Sequence, residues 1–440
     1  MLMVSLSGIR GVVGQDLTAA GVLDYAVKFG RFCEKGKVAV GTDTRPSGPA
    51  LKHAAIGGLL ATGCEVVDLG VLPTPSILMS VKDLGCRGGM VITASHNPME
   101  WNGLKLINSD GIFLGREEVD HMATKEESSV GWQELKGVVE DKGGVERHIG
   151  KILSLDYLDL EGLRRKKFKV VVDTCNGAAY RIGPELLRRL GCQVKEVNCR
   201  PDPPFPRPPE PKPSGLKELQ KSLLKLQADI AFATDPDADR LCILSKSTLP
   251  LGEEYTLALS TELVLSKEKG VVVTNVSTSR LVDWVASRHG AEVLRTPIGE
   301  AHVVRAMLQR RAVIGGEGNG GVILPRVHPT RDSLTAMALI LQLLLEKKLP
   351  IETIIDGYPP SRIVKKTVRI SGNLNRPELV ACFADAEVDE TDGLLFSFSE
   401  SWVSIRKSGT EPMVRVIAEA PTEEEASSLV NRAIKTLCAE

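Results

Sequence analysis

Val38-Ala39-Val40-Gly41-Thr42-Asp43, Val170-Val171-Val172-Asp173-Thr174 and Val271-Val272-Val273-Thr274-Asn275 are three versions of one phrase, a β-branched run that ends in a polar loop. A helix-period segment follows each run and stops at a glycine: Gly63, Gly191 or Gly290. Glycine closes a helix because it enters the left-handed conformation without strain. Directly after each glycine comes a second strand, Glu65-Val66-Val67, Gln193-Val194-Lys195-Glu196-Val197 or Glu292-Val293-Leu294. Strand, helix, strand, three times over, predicts three tandem related α/β units with mixed, largely parallel sheets.

Further along each unit a short apolar strand runs into a loop of unusual composition. Met90-Val91-Ile92 leads into Thr93-Ala94-Ser95-His96-Asn97-Pro98. Ile230-Ala231-Phe232-Ala233 leads into Thr234-Asp235-Pro236-Asp237-Ala238-Asp239-Arg240, and Ala312-Val313-Ile314 into Gly315-Gly316-Glu317-Gly318-Asn319-Gly320-Gly321. Open α/β sheets bind ligands beyond the carboxyl ends of their strands. Three equivalent loops are therefore expected to line one shared central cleft.

After about residue 357 the pattern changes. Apolar and polar residues alternate from Arg362 to Ile370 and again around Leu394-Leu395-Phe396-Ser397-Phe398, and a helical pattern starts at Thr422. A smaller α+β domain with an antiparallel sheet is expected here. The divisions that follow are 1–148, 149–248, 249–356 and 357–440. The Pro-rich stretch from Pro201 to Pro213 is expected to be extended and irregular, a rigid surface loop inside the second unit.

Composition fits this layout. A chain of 440 residues is too long for one ordinary core. Hydrophobic residues at 42%, charged residues at 25% and a formal net charge of -1 suit a soluble globular protein, with no nucleic-acid or membrane partner. The nine cysteines include no C-x-x-C pair, which argues against a disulfide framework or zinc site and for a reducing compartment. The opening residues lack the basic and apolar regions of a secretory signal, and no apolar run approaches the roughly 20 residues that span a bilayer. The expected location is cytoplasmic.

The chemistry sits in the loops. Asp235, Asp237 and Asp239 at alternate positions repel one another unless a hard cation lies among them, and oxygen-only ligands point to magnesium or calcium. An EF-hand is excluded, because Arg240 and Lys246 occupy its glycine and glutamate positions. The strand ending in Asp-x-Asp also resembles the nucleophile motif of haloacid dehalogenase-like phosphatases, but Asp239 stands where those carry threonine or valine. Ser95 has no Gly-x-Ser-x-Gly elbow, so a serine hydrolase has little support. His96 can shuttle a proton, Asn97-Pro98 fix a turn, and Lys105 adds a cation that favours phosphate. A serine nucleophile beside a metal site fits phosphoryl transfer. Arg406-Lys407-Ser408-Gly409-Thr410-Glu411-Pro412, followed by Arg415, has the composition of an oxyanion cradle. Glu317 is a carboxylate that can accept hydrogen bonds from sugar hydroxyls.

Taken in order, Ser7-Gly8-Ile9-Arg10-Gly11, Thr93 to Pro98, Asp235 to Arg240, Gly316 to Gly321 and Arg406 to Arg415 resemble the α-D-phosphohexomutases over essentially the whole chain. That resemblance implies four domains around a central cleft. It implies a phosphoserine at Ser95, with Mg²⁺ held by Ser95, Asp235, Asp237 and Asp239. Arg10, His96, Lys105 and Arg240 would surround the transferring phosphoryl group, with His96 and Lys105 as general acid and base. Glu317 and Asn319 would read the sugar hydroxyls, while Arg406, Ser408, Gly409, Thr410 and Arg415 would clamp the resting phosphate of a small-molecule sugar phosphate. The implied reaction passes through a hexose 1,6-bisphosphate, which also serves as activator, in a monomer or homodimer.

Two departures bear on the sugar. Asn319 and Gly321 stand where many members carry serine and histidine, and Pro297 stands where several carry lysine. The Ser-Gly-Thr-Glu-Pro loop is similar to that of phosphoglucosamine mutases, and glucosamine phosphate is the expected substrate. Glucose or mannose phosphate is the alternative within the family. A sugar-phosphate phosphatase is the alternative outside it.

Overall fold

The three β-branched runs become the central strands Lys37–Thr42, Lys169–Asp173 and Val272–Asn275 of three separate sheets. The computed structural model describes residues 3–438 except 6–7, 125–129, 203, 247–250, 370–373 and 408–412. Each central strand lies between two parallel neighbours, the second and third strands of its unit. These are Glu65–Val71 and Gly88–Ile92, Gln193–Val197 and Ile230–Thr234, and Val293–Thr296 and Ile314–Glu317. A fourth strand, Trp101–Asn108, Leu241–Leu244 or Gly321–Leu324, then returns antiparallel to the third. All three sheets thus share the order second, first, third, fourth. Each chemistry-bearing loop occupies the same place, the turn between the third and fourth strands.

The expected helix stops hold in detail. Gly63, Gly191 and Gly290 have φ of +79°, +88° and +65°. In each case the glycine N–H and the next residue's N–H close back on the last helical turn, as Gly63 to Leu60 O and Cys64 to Leu59 O do. This paired closure satisfies carbonyls that would otherwise be orphaned at the helix end, and it turns the chain directly into the second strand.

The helix Ser333–Lys347 is buried on nearly every face. It packs against Glu254–Lys267 of its own unit and against Leu160–Lys166 and Ile182–Arg189 of the second. The second and third units therefore share one continuous apolar core, which also takes in Met79 of the first unit and Tyr358. Removing such a side chain from water stabilises by about 1.5–3 kcal/mol, so this core fixes the two units against each other. The first unit keeps separate cores on the two faces of its sheet.

The last domain is a five-stranded antiparallel sheet in the order Arg362–Arg369, Met413–Ala420, Trp402–Lys407, Leu394–Ser397, Glu387–Asp389. The helix Glu423–Leu437 covers one face, and its expected start is correct: Thr422 caps it by accepting from Glu425 N. This domain docks on the third unit through polar groups, the buried Glu419 foremost. Glu419 accepts from Ser279 Oγ, Ser361 Oγ, Arg280 N and Trp402 Nε1. Lys365 reaches Glu253 at 3.0 Å and Glu254 at 3.2 Å.

Burial, with Glu253 and Glu419 nearby, pushes the Glu254 carboxyl up to about 7 from an ordinary 4.5, and Lys365 offsets only part of this. A folded pKa above the unfolded one means the neutral form stabilises. That contribution is complete below pH 4.5 and is lost as pH rises through about 7. Relative to Glu254→Gln, the wild type should lose about 1–3 kcal/mol between about pH 5 and 8. Urea midpoints of both proteins across that range check this, and a constant difference between them would contradict it.

Candidate active site

Ser95 leaves its strand with φ +51°, a left-handed conformation that is strained for a non-glycine residue, and it is 1% exposed. The loop is held from below. Ser95 N donates to Thr93 Oγ1 (2.9 Å), and Thr93 Oγ1 donates to Asp43 Oδ2 (2.6 Å). Arg45, fully buried and paired with Asp43, donates to the carbonyls of Ser95, Asn97, Pro98 and Trp101. One guanidinium therefore fixes the whole turn. It leaves Ser95 Oγ 3.1 Å from Asp235 Oδ2 and 3.4 Å from His96 Nδ1.

Asp235, Asp237 and Asp239 are all fully buried, and they present oxygens within 4.8 Å of one another. Each of the last two is divided in its bonding. Asp237 Oδ2 accepts from Lys105 Nζ (2.6 Å) and Thr74 Oγ1 (2.8 Å); Asp239 Oδ2 accepts from Arg331 Nη2 (2.7 Å) and Lys105 Nζ (3.3 Å). The Oδ1 atoms of both have no hydrogen-bond partner despite complete burial. A buried carboxylate oxygen without a partner is unfavourable by several kcal/mol unless a cation meets it. Three clustered carboxylates, two of them with an oxygen that receives no hydrogen bond, fit a hard divalent ion such as Mg²⁺.

The charge states agree with this division. Burial and the neighbouring Asp239 and Asp237 push the Asp235 carboxyl well above its usual range. Burial acts the same way on Asp237 and Asp239, but Lys105 with hydrogen bonds from Asp235 and Thr74 outweighs it at Asp237, and Arg331, Lys105 and Arg240 together outweigh it at Asp239. Both carboxyls sit below the usual range. Lys105 is raised despite burial, because two carboxylates face it. His96 is pushed well below 6.5 by Arg240, burial and Arg10, so its ring is neutral at pH 7.

Arg10 donates to Asn97 Oδ1 (3.0 Å) and so joins the serine loop. Arg240 Nη1 donates to Glu210 Oε1 (3.2 Å), and its Nε lies 3.8 Å from Asp239 Oδ1. The Pro-rich segment is irregular, as expected, but it is more than a surface loop. Phe205 stacks on Arg45, Arg207 donates to Asp173 and Thr234 O, and Glu210 holds Arg240. It braces the site.

In the third unit, Glu317 Oε1 accepts from Asn275 Nδ2 and Gly299 N, and Oε2 accepts from Arg331 Nη1 and Asn319 Nδ2. Arg406 and Arg415 stand directly opposite on adjacent strands of the last domain. Like charges so placed repel, which favours an anion between them. Arg406 pairs with Asp392 (2.7 Å), whose other oxygen accepts from Ile298 N (2.8 Å), beside the Gly299 that touches Glu317. Ser408, Gly409 and Thr410 lie outside the described residues.

Arg45, Thr74, Glu210, Glu300 and Arg331 all build the site and were not singled out from the sequence. Asp43, Asp173 and Asn275 carried a signal for part of this. Each lies at or just past the end of the first strand of its unit, and each braces a loop with its side chain. Isolated arginines far along the chain carried none.

Models of the phosphoglucomutase/phosphomannomutase family match in order: α/β/α domain I over residues 2–129, domain II over 146–248, domain III over 252–361 and the C-terminal domain over 362–436. A Methanopyrus kandleri protein named "Probable phosphoglucosamine mutase" is 38% identical, with 96% of this chain and 95% of that one covered. The phosphoglucomutase/phosphomannomutase of Thermococcus kodakarensis is 37% identical over 98% of this chain and 97% of its own. The phosphoglucosamine/phosphogalactosamine mutase of Sulfurisphaera tokodaii is 34% identical over 96% of each. Among solved structures, a family protein from Burkholderia thailandensis superimposes with a TM-score of 0.83 at 25% identity, over 99% of this chain and 98% of its own. The chain belongs to the phosphoglucomutase/phosphomannomutase family of α-D-phosphohexomutases. It is a phosphohexomutase, an isomerase, and magnesium binding is a general property of that family. Among the described residues no helix is long and apolar enough to cross a membrane.

The clamp on the serine loop makes a prediction. Arg45→Lys keeps a cation but cannot serve four carbonyls, so the Ser95 loop should shift while the fold persists. A displacement of about 1 Å at a reacting group lowers turnover about 10²-fold. Steady-state kinetics with a circular-dichroism check on folding test this, and unchanged kcat would refute it.

Proposed function

We propose that the enzyme interconverts glucosamine 6-phosphate and glucosamine 1-phosphate through a phosphoserine at Ser95 and a glucosamine 1,6-bisphosphate intermediate. The observation that carries the reading is the pairing of Ser95 Oγ with Asp235, beside the open Oδ1 atoms of Asp237 and Asp239. The four functional divisions of the chain are 1–148 for the serine loop, 149–248 for the metal loop, 249–356 for the sugar loop and 357–440 for the phosphate cradle.

Asp235, Asp237 and Asp239, with the phosphate on Ser95, would hold Mg²⁺, which supplies charge neutralisation for phosphoryl transfer. In the first half-reaction the bond between Ser95 Oγ and phosphorus breaks, and one forms between phosphorus and the sugar's free hydroxyl oxygen. The hydroxyl proton leaves to a base, and Ser95 Oγ regains a proton. Neutral His96 beside Ser95 and cationic Lys105 are the groups assigned to this exchange. Arg10 and Arg240 neutralise the transferring group. The bisphosphate then turns in the cleft and returns its other phosphoryl to Ser95, so no phosphate is lost.

Glu317 and Asn319 read the sugar, while Arg406, Ser408, Gly409, Thr410 and Arg415 hold its second phosphate. Because that cradle must accept either end of the bisphosphate, the last domain is expected to flex against the other three. Relatives named for glucosamine phosphate support the sugar chosen. The relative named phosphoglucomutase/phosphomannomutase supports glucose or mannose phosphate as the second reading.

With Mg²⁺ and catalytic hexose 1,6-bisphosphate, the wild type should isomerise glucosamine phosphate faster than glucose or mannose phosphate, with no release of inorganic phosphate. Ser95→Ala should abolish turnover. Wild-type rates in that variant would remove the phosphoserine assignment, and stoichiometric phosphate release would show a phosphatase instead.

A further inference from the structure

Arg331 closes the strand His328–Arg331 and is 8% exposed. Its three guanidinium nitrogens go to three different carboxylates. Nη2 donates to Asp239 Oδ2 (2.7 Å), Nη1 to Glu317 Oε2 (2.7 Å) and Nε to Glu300 Oε2 (3.1 Å). Asp239 belongs to the acidic loop of the second unit, and Glu317 to the sugar loop of the third. One rigid, planar cation therefore spans the two loops and sets the facing of a carboxylate in each.

The fork is itself anchored. Glu300 Oε1 accepts from Arg331 N (2.9 Å) and Thr330 Oγ1 (2.7 Å), so Glu300 grips both the backbone and the guanidinium. The next residue, Asp332, caps the buried helix Ser333–Lys347 by accepting from Leu334 N. Asp332 also accepts from His148 Nε2 (2.8 Å), whose Nδ1 meets Ser76 Oγ (2.8 Å) in the first unit. His148 and Ser76 are fully buried, so this chain is bracing rather than a reactive triad. Arg331 thus projects from a backbone pinned by other parts of the molecule.

The geometry points to Arg331 as a positioning residue that prepares metal binding and sugar recognition together, through Asp239 and Glu317, while touching neither ligand. By occupying Asp239 Oδ2, it helps leave Oδ1 as the free oxygen of that carboxylate. By occupying Glu317 Oε2, it fixes the plane in which Glu317 meets a sugar hydroxyl. A lysine keeps the charge but has no fork, so it cannot hold both carboxylates. This inference rests on the reading of Asp239 as a metal ligand and Glu317 as a sugar contact.

The test uses Arg331→Lys, which preserves net charge, and Glu300→Gln, which loosens the fork without touching either loop. Mn²⁺ affinity is measured by electron paramagnetic resonance without sugar, and KM and kcat are measured separately. Removal of a group that orients a metal ligand typically weakens binding about 10–100-fold. Arg331→Lys should weaken Mn²⁺ by about tenfold and raise the KM for sugar phosphate by a similar factor. Glu300→Gln should weaken Mn²⁺ less, and it should add much less in the Arg331→Lys background than it does alone, because its route to Asp239 is the Arg331 guanidinium.

Mn²⁺ affinity unchanged in Arg331→Lys, or weakened without a rise in KM, overturns the dual role. So do additive effects in the double variant. Should Arg331→Lys fail to fold, Glu300→Gln alone decides, and wild-type affinity and KM in it would refute the inference. Asp239→Asn run in parallel separates the two levels. If it loses Mn²⁺ while Arg331→Lys does not, Arg331 alone is refuted. If Asp239→Asn binds Mn²⁺ as tightly as the wild type, the metal-ligand reading and this inference fall together.

Discussion

Three carboxylates in one five-residue span, all withdrawn from water, are the constraint around which the rest is arranged. Burying one unpaired ion is unfavourable by several kcal/mol even after the protein relaxes, so this loop cannot exist in its own unit alone. Apart from Arg240 in the same loop, its partners come from elsewhere. Lys105 and Thr74 arrive from the first unit, and Arg331 from the third. The loop thus acts as an electrostatic keystone: satisfying it requires the three units to converge on it.

The same constraint explains the division within each carboxylate. Protein cations donate to the Oδ2 atoms of Asp237 and Asp239, while the Oδ1 atoms receive no hydrogen bond, with Arg240 Nε 3.8 Å from that of Asp239. A site built only for stability would have paired both. Ser95 shows a matching expense of free energy, since its left-handed backbone is maintained by Arg45 and Asp43 beneath it. Strain and unpaired oxygens occur side by side, where a phosphoryl group would be exchanged.

Much of this was legible in the sequence because it repeats. The three β-branched runs, the helix-ending glycines and the polar loops fall at equivalent places, and period and turn chemistry alone locate them. The acidic triad was legible because three aspartates at alternate positions need an external reason. What stayed hidden depends on distance in space. Arg45 and Arg331 look like ordinary charged residues until folding places them under the serine loop and between two carboxylates. The Pro-rich stretch was correctly read as irregular, but its composition does not show that Phe205, Arg207 and Glu210 face inward. Asn275 and Arg331, the partners that orient Glu317, are likewise distant in sequence.

The central claim is that a phosphoryl group carried on Ser95 lies against a divalent ion held by the three aspartates. Phosphorus NMR of the enzyme, after incubation with hexose 1,6-bisphosphate and removal of free ligand, addresses it directly. One protein-bound phosphomonoester resonance is expected, sharp with Mg²⁺ and broadened beyond detection when Mn²⁺ replaces it. No protein-bound resonance, or one that stays sharp with Mn²⁺, would contradict it.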